Sequence, residues 1–136
     1  PFGRFRDYVL EVDVYQVSEW AAYGLVFDYN DEDGYYVFTI VPDLDSYSIS
    51  QFSYGSYDFI HSGYYPSAYQ ESPGAVNHLK VERQGKQLTF YLNDHQLHTM
   101  ERQLVTAGVK VGLELGVGGP ALPIISRFDN FRVTVP

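Results

Sequence analysis

An all-β sandwich is the fold class this sequence predicts, and three observations predict it. Segments in which apolar and polar residues alternate recur along the whole chain. Turn residues separate them, at Asp33-Gly34, Gly85-Lys86, Asn93-Asp94 and Gly118-Gly119-Pro120. Thirteen Tyr, nine Phe and one Trp make the chain 17% aromatic, and aromatic side chains suit a pleated, half-buried surface. Short strands with turn signals every 8–12 residues or so point to a sandwich or barrel. At 136 residues the chain suits one domain.

The first segment, YVLEVDVYQV (8–17), puts Leu10, Val12 and Val14 on one strand face and Glu11, Asp13 and Tyr15 on the other. Two carboxylates on one face can be a hydrolase's acid and base, or the solvated side of a sheet. YGLVFDYNDEDGYYVFTIV reads as a hairpin, with strands at 23–29 and 34–41 around an acidic turn ending in Asp-Gly. Both faces of these strands carry large side chains, as central strands do. SYSISQFS (46–53) follows. It opens a stretch rich in Ser, Gly and Tyr, DLDSYSISQFSYGSYDFIHSGYYPSAYQESP, which is too aromatic for a solvated linker. This Tyr/Ser/Gly-rich insert, at about 43–75 of a single 1–136 domain, reads as a strand or two carrying a long ordered loop. NHLKVERQGKQLTFYLND is a second hairpin (77–84 and 87–94), turning at Gln84-Gly85-Lys86. VKVGLELG (109–116) and ISRFDNFRVTV (125–135) close the series. No helix is expected beyond one turn in TMERQLVT (99–106).

Composition excludes several function classes. Without cysteine there is no thiol catalysis, cysteine-ligated zinc or iron–sulfur cluster. A formal charge of −8, with no Lys/Arg cluster, disfavours nucleic acid. No apolar run approaches the roughly 20 residues of a transmembrane segment. The chain opens on Pro1-Phe2-Gly3 and reads as a domain of a larger protein.

The acidic turn DYNDEDG (28–34) fits an EF-hand in neither register, since the sixth residue is Asp33 in one and the twelfth is Ile40 in the other. A looser calcium site remains open there. His95 and His98 are spaced to opposite faces of a strand, which is poor geometry for one metal. Neither a nucleophile elbow nor a phosphate-cradling loop is present. Among the aromatics, Trp20 is either a lid on the core or an exposed platform. The insert tyrosines have no apolar neighbours to join, which makes them candidates for a contact surface.

The order of FRDYVLEVDV, YGLVFDYNDEDGYYVFTI, NHLKVERQGKQLTFYLND, GVKVGLELG and RFDNFRV resembles the concanavalin A-like lectin/glucanase superfamily. More narrowly it is similar to bacterial 3-keto-disaccharide hydrolase-like and laminin G-like jelly-roll domains. The likeness runs from Phe5 to Val135 apart from the insert. It implies a two-sheet antiparallel jelly-roll sandwich whose concave sheet binds sugar. Family-16 glucanases of this superfamily carry E-x-D-x-E on one strand, and Glu11-Val12-Asp13-Val14-Tyr15 matches the first two positions but not the third. Some relatives hold calcium near the position of Asp129. Departures are Asn93-Asp94 for the usual Asn-Gly, and Asp28 where an arginine is often found.

The expectation is therefore a non-catalytic binding module for carbohydrate, with Trp20, Asp28, Tyr36, Tyr54, Tyr57, Tyr64 and Tyr65 lining or flanking the concave sheet. The resemblance alone supplies the places of Asp28 and Tyr36. A protein-interaction or sensor domain and a glycosidase related to family 16 are the alternatives. No metal ligand and no cofactor is assigned, with calcium left open. An extracellular or cell-envelope bacterial location is favoured.

Overall fold

The structure, a computed structural model, describes residues 7–16, 21–30, 34–72, 74–102, 110–117 and 126–135. Ten strands run through them: β1 (Tyr8–Gln16), β2 (Ala21–Asn30), β3 (Gly34–Val41), β4 (Ser46–Ser53), β5 (Ser56–Tyr64), β6 (Val76–Gln84), β7 (Gln87–Leu92), β8 (His95–Glu101), β9 (Lys110–Val117) and β10 (Ser126–Thr134). A 3₁₀ turn over Pro42–Leu44 joins β3 to β4. The strands form two five-stranded antiparallel sheets, ordered β10-β1-β6-β7-β8 and β5-β4-β3-β2-β9. The fold is thus an all-β, jelly-roll-like sandwich, as the alternation and turns predict. No helix among the described residues is long and apolar enough to cross a membrane.

The core lies between the sheets and takes every second residue of the central strands. From the β1 sheet come Leu10, Val12, Val14, Leu79, Val81, Leu88, Phe90 and Leu92. From the β3 sheet come Tyr23, Leu25, Phe27, Tyr36, Phe38, Ile40, Tyr47 and Ile49. Phe90 bridges the layers, edge-on to Phe38 at 5.4 Å and tilted against Phe27 at 5.8 Å. Rings in such arrangements add about 1 kcal/mol each beyond their buried area.

Turn chemistry fixes the register. Asn93 and Asp94 both take positive φ, 49° and 64°, the geometry a two-residue hairpin of this twist requires. Asn93 also accepts a hydrogen bond from the His78 amide (2.7 Å) and donates to Ala68 O (2.8 Å). Asn77, fully buried, accepts from the Gln70 amide and donates to the Gln70 carbonyl. These two asparagines of the second hairpin pin the loop after β5 to the sandwich.

The Tyr-rich stretch proves to be mostly sheet. It supplies β4, the two-residue turn Tyr54-Gly55 and β5, an edge strand. Tyr47 and Tyr69 are buried in the core, and the Tyr69 hydroxyl meets that of Tyr23 at 2.8 Å. The window expected to hold a helical turn is extended through Thr99–Glu101 as the end of β8, and 103–106 lie outside the described residues. β8 carries a register shift opposite Phe90 and Tyr91, so that His98 pairs with the core residue Phe90.

Candidate functional site

Strand register gives the outer face of the β3 sheet a layout in rows. Thr39 alternates with the core residues Phe38 and Ile40, so its side chain lies on the outer face. Its cross-strand line reads Glu114 (β9), Gly24 (β2), Thr39 (β3), Ser48 (β4) and Ser62 (β5). The next line reads Gly112, Val26, Val37, Ser50 and Phe59. Beyond it Tyr29, Tyr35 and Phe52 stack in sequence, with centroids 5.4 and 5.2 Å apart, and Tyr57 pairs with Phe52. The rows make a floor of small side chains with aromatic residues on one flank.

The floor is buried and, among the described residues, incompletely satisfied. Val37, Thr39, Ser48 and Ser50 are all buried although they face away from the core. The Thr39 and Ser50 hydroxyl oxygens are buried and find no hydrogen-bond partner among the described residues. Glu114 is half-buried, and loss of hydration raises its carboxyl above the usual range. The Tyr35 hydroxyl is raised by burial and then by the charge of Glu114, with Tyr57 and Tyr29 adding to it. Those four side chains therefore share one local field.

The candidate residues named from the sequence separate sharply. Tyr54 and Tyr64 are each 84% exposed, at the β4–β5 turn and the end of β5. Tyr57 is 49% exposed and meets Phe59, itself 72% exposed, edge to face at 5.7 Å. Tyr65 is partly buried, stacked on Tyr69 at 4.1 Å, its hydroxyl shared between Asp45 (2.8 Å) and Glu71 (3.1 Å). Trp20 lies outside the described residues.

Asp28 and Tyr36 are corrections. Tyr36 has no exposed surface and stacks on Phe27 at 5.5 Å inside the core. Asp28 is buried and receives Arg83 Nη1 (2.8 Å), Arg102 Nε (2.6 Å) and the Tyr8 hydroxyl (2.8 Å). A bulge between Phe27 and Asn30, with Asp28 at φ 53°, turns this side chain inward where strict alternation would turn it out. Both residues hold the fold and are closed to a ligand.

The opposite face, on the β1 sheet, answers the question of Glu11 and Asp13. His78 lies between them, with Nδ1 at 2.7 Å from Asp13 and Nε2 at 2.9 Å from Glu11. Arg132 donates to Glu11 (3.0 Å) and Asn130 to Asp13 (2.8 Å). Burial works against ionisation of Glu11, but the bonds from Arg132 and His78 outweigh it and hold the carboxyl below its usual range. The bonds from Asn130 and His78 do the same for Asp13. Neither carboxyl is a proton donor near neutral pH, and Tyr15 carries Arg127 over its ring at 4.3 Å in the third position. The pair belongs to a cross-strand ion network.

Among the described residues no three His, Asp or Glu gather as a metal site. Asp129 accepts from Arg127 and from the Asn130 amide, while the acidic residues 31–33 lie outside the described residues. The sequence did not single out Glu114, Thr39, Ser50 or Phe59, which the register places on this outer face. An alternating strand such as VKVGLELG gives its one acid no mark until the register places it beside Gly24.

No protein-family model matches this chain, and no curated relative matches its sequence. Solved structures do. The carbohydrate-binding module CBM66 from Bacillus subtilis superposes with a TM-score of 0.74 at 19% identity, over 94% of this chain and 74% of that one. The Caenorhabditis elegans galectin LEC-6 gives 0.65 at 14% identity, over 85% and 79%. The GH43 protein BlXynB from Bacillus licheniformis gives 0.66 at 16% identity, over 94% of this chain but 27% of that one. At these identities the likeness is one of fold, and the chain folds as a two-sheet sandwich of the kind found in jelly-roll lectins and carbohydrate-binding modules.

Proposed function

We propose that this domain is a non-catalytic carbohydrate-binding module that takes its ligand on the outer face of the β3 sheet. The observation that carries the reading is the pairing of exposed aromatic side chains on β5, Tyr57 and Phe59, with an adjoining floor of small hydroxyl residues. Aromatic faces suit the C–H faces of sugar rings, while hydroxyls and a carboxylate suit their polar edges. Similarity to structures named as a carbohydrate-binding module and a galectin supports the same reading. Tyr54 and Tyr64 flank the face, and an extracellular or cell-envelope place of action accords with it.

A glycan-array screen of the purified domain, followed by Tyr57→Ala and Phe59→Ala, tests the proposal. Binding to one glycan class that falls at least about tenfold in both variants, with little change in Tm, is expected, since truncated anchors typically cost 1–2 kcal/mol or more. A second reading rests on the exposure of Tyr54, Phe59 and Tyr64 along an edge strand, where a protein partner could add its own strand. A silent array together with a defined partner complex lost on Phe59→Ala would favour that one.

A further inference from the structure

Tyr54 occupies a position that strains the fold. It is the first residue of the two-residue turn between β4 and β5, at φ 50°, followed by Gly55 at φ 78°. Such a turn favours Asn-Gly, and a bulky side chain at positive φ is a steric outlier. The other described non-glycine residues with positive φ are all Asp or Asn, whose short side chains tolerate it. Packing does not offset the strain, since Tyr54 is 84% exposed. Backbone strain of this kind clusters at binding sites.

The strand that leaves this turn, β5, departs from regularity a second time. Tyr57 pairs with Phe52 and Phe59 with Ser50, on the outward side of the sheet. Tyr64, five residues beyond Phe59, would face inward under strict alternation. A register shift opposite Ile49 and Ser50 inserts Ile60 as an extra residue, so that Tyr64 pairs with Ser46 on the outward side again, while Ile60 packs on the core. Tyr57, Phe59 and Tyr64, all exposed, therefore follow one another along one rim. At about 3.3 Å per residue the rim from Tyr57 to Tyr64 runs roughly 20 Å, much longer than a single sugar ring. Tyr54 stands at its end.

The same bulge breaks the regular spacing of the free N–H and C=O groups on this edge, which makes it a poor template for another strand. The outward positions of β3, β4 and β5 carry no charged side chain, and Asp58 and His61 pair with Gln51 and Ile49 on the inward side. With a net charge of −8 and no cation at those positions, the rim disfavours an acidic ligand. We infer that the outward rim of β5 is a track for an extended, uncharged glycan chain held along several of its units, with Tyr57 and Phe59 at the centre and Tyr54 and Tyr64 at the ends. The inference rests on the carbohydrate reading above and deepens it from a sugar-binding face to a chain-binding one.

The test is calorimetric titration with neutral gluco-, manno-, xylo- and fructo-oligosaccharides as dimers and hexamers, with oligogalacturonides of the same lengths as acidic probes. In at least one neutral series affinity should rise at least tenfold from dimer to hexamer. Tyr54→Asn and Tyr64→Ala should each weaken the hexamer about tenfold, as truncated anchors do, and leave the dimer unchanged. Tyr57→Ala and Phe59→Ala should weaken both lengths. Tyr54→Asn should also raise Tm, because Asn accepts positive φ more readily than Tyr, which separates its loss of affinity from a folding defect. Equal affinity for dimer and hexamer, acidic chains bound as tightly as neutral ones, end variants that leave the hexamer untouched, or binding confined to arrayed glycans outside these series would overturn the track. If Tyr57→Ala and Phe59→Ala still abolished glycan binding in that case, the carbohydrate reading would survive without it. A wild-type protein that binds none of these chains and no arrayed glycan would overturn both.

Discussion

Asp28 shows how much one side chain can depend on residues far away in sequence. Its carboxylate is held by Arg83 from β6 and Tyr8 from β1, both in the opposite sheet, and by Arg102 just past β8. Moving a carboxylate out of water costs several kcal/mol, recovered only if both oxygens are bonded, and here both are. Burial and the neighbouring Asp28 charge raise the Tyr8 phenol far above its ordinary range, so it stays a donor throughout the working pH range. Asp28→Asn should lower stability by about 3–5 kcal/mol, the usual cost of breaking a buried pair. A urea midpoint would report this, and the sugar affinity of the remaining folded protein should not change. Loss of affinity without loss of stability would return Asp28 to the ligand site.

Among the elements, β1, β6 and β10 are joined on their outer face by ionised side chains as well as by backbone. Both nitrogens of His78 face carboxylates, so both hydrogen bonds form only when the ring is the imidazolium. Burial alone would lower its pKa, but the bonds it donates to Asp13 and Glu11 outweigh it and the net shift is upward. A raised histidine contributes stability that is complete below its unfolded pKa of about 6.5 and fades as pH rises through the folded value. The depressed Glu11 and Asp13 contribute above their unfolded values, near 4, and lose that contribution as pH falls. The network is therefore strongest between about pH 5 and 6.5. His78→Gln should flatten the loss of stability that the wild type shows on raising pH from 6 to 8, as chemical denaturation would record. An unchanged slope would mean that the ring is not doubly bonded in solution. The side chains are partly exposed, which keeps the expected effect to about 1 kcal/mol.

For the whole molecule, one long edge of the sandwich is fastened where β5 of one sheet meets β8 of the other. His61 and His98 stack face to face at 3.8 Å, and the Tyr47 hydroxyl donates to Leu97 O (3.3 Å) and meets His61 Nε2 at 2.9 Å. Two imidazoles in that arrangement cannot both be charged cheaply. Burial, and then the proximity of His61, lower the pKa of His98. A depressed histidine is protonated more readily in the unfolded chain, so stability falls as pH drops below about 6.5. His98→Phe, which keeps a flat ring, should remove part of the acid sensitivity, seen as a smaller drop in Tm between pH 7 and pH 5. An undiminished drop would show that the stack opens without cost.

The sequence by itself determined the strands and most of the turns, because alternation and paired residues such as Asn93-Asp94 act over a few bonds and need no distant partner. It also set the insert tyrosines apart from the core, since Ser and Gly around them offer no apolar face; Tyr54, Tyr57 and Tyr64 are exposed, but Tyr47 and Tyr69 are buried. Only the tertiary structure decided which aromatic went where. Tyr23 and Tyr36 read locally like Tyr35, yet the first two are buried and Tyr35 faces outward. Alternation sets two faces without saying which meets the other sheet, and a single bulge exchanges them, as it does at Asp28. The row of Glu114, Gly24, Thr39 and Ser48 likewise exists only across strands, drawn from segments up to 90 residues apart. Cross-strand register brings those side chains together, and register is set by packing rather than by any neighbour in the chain.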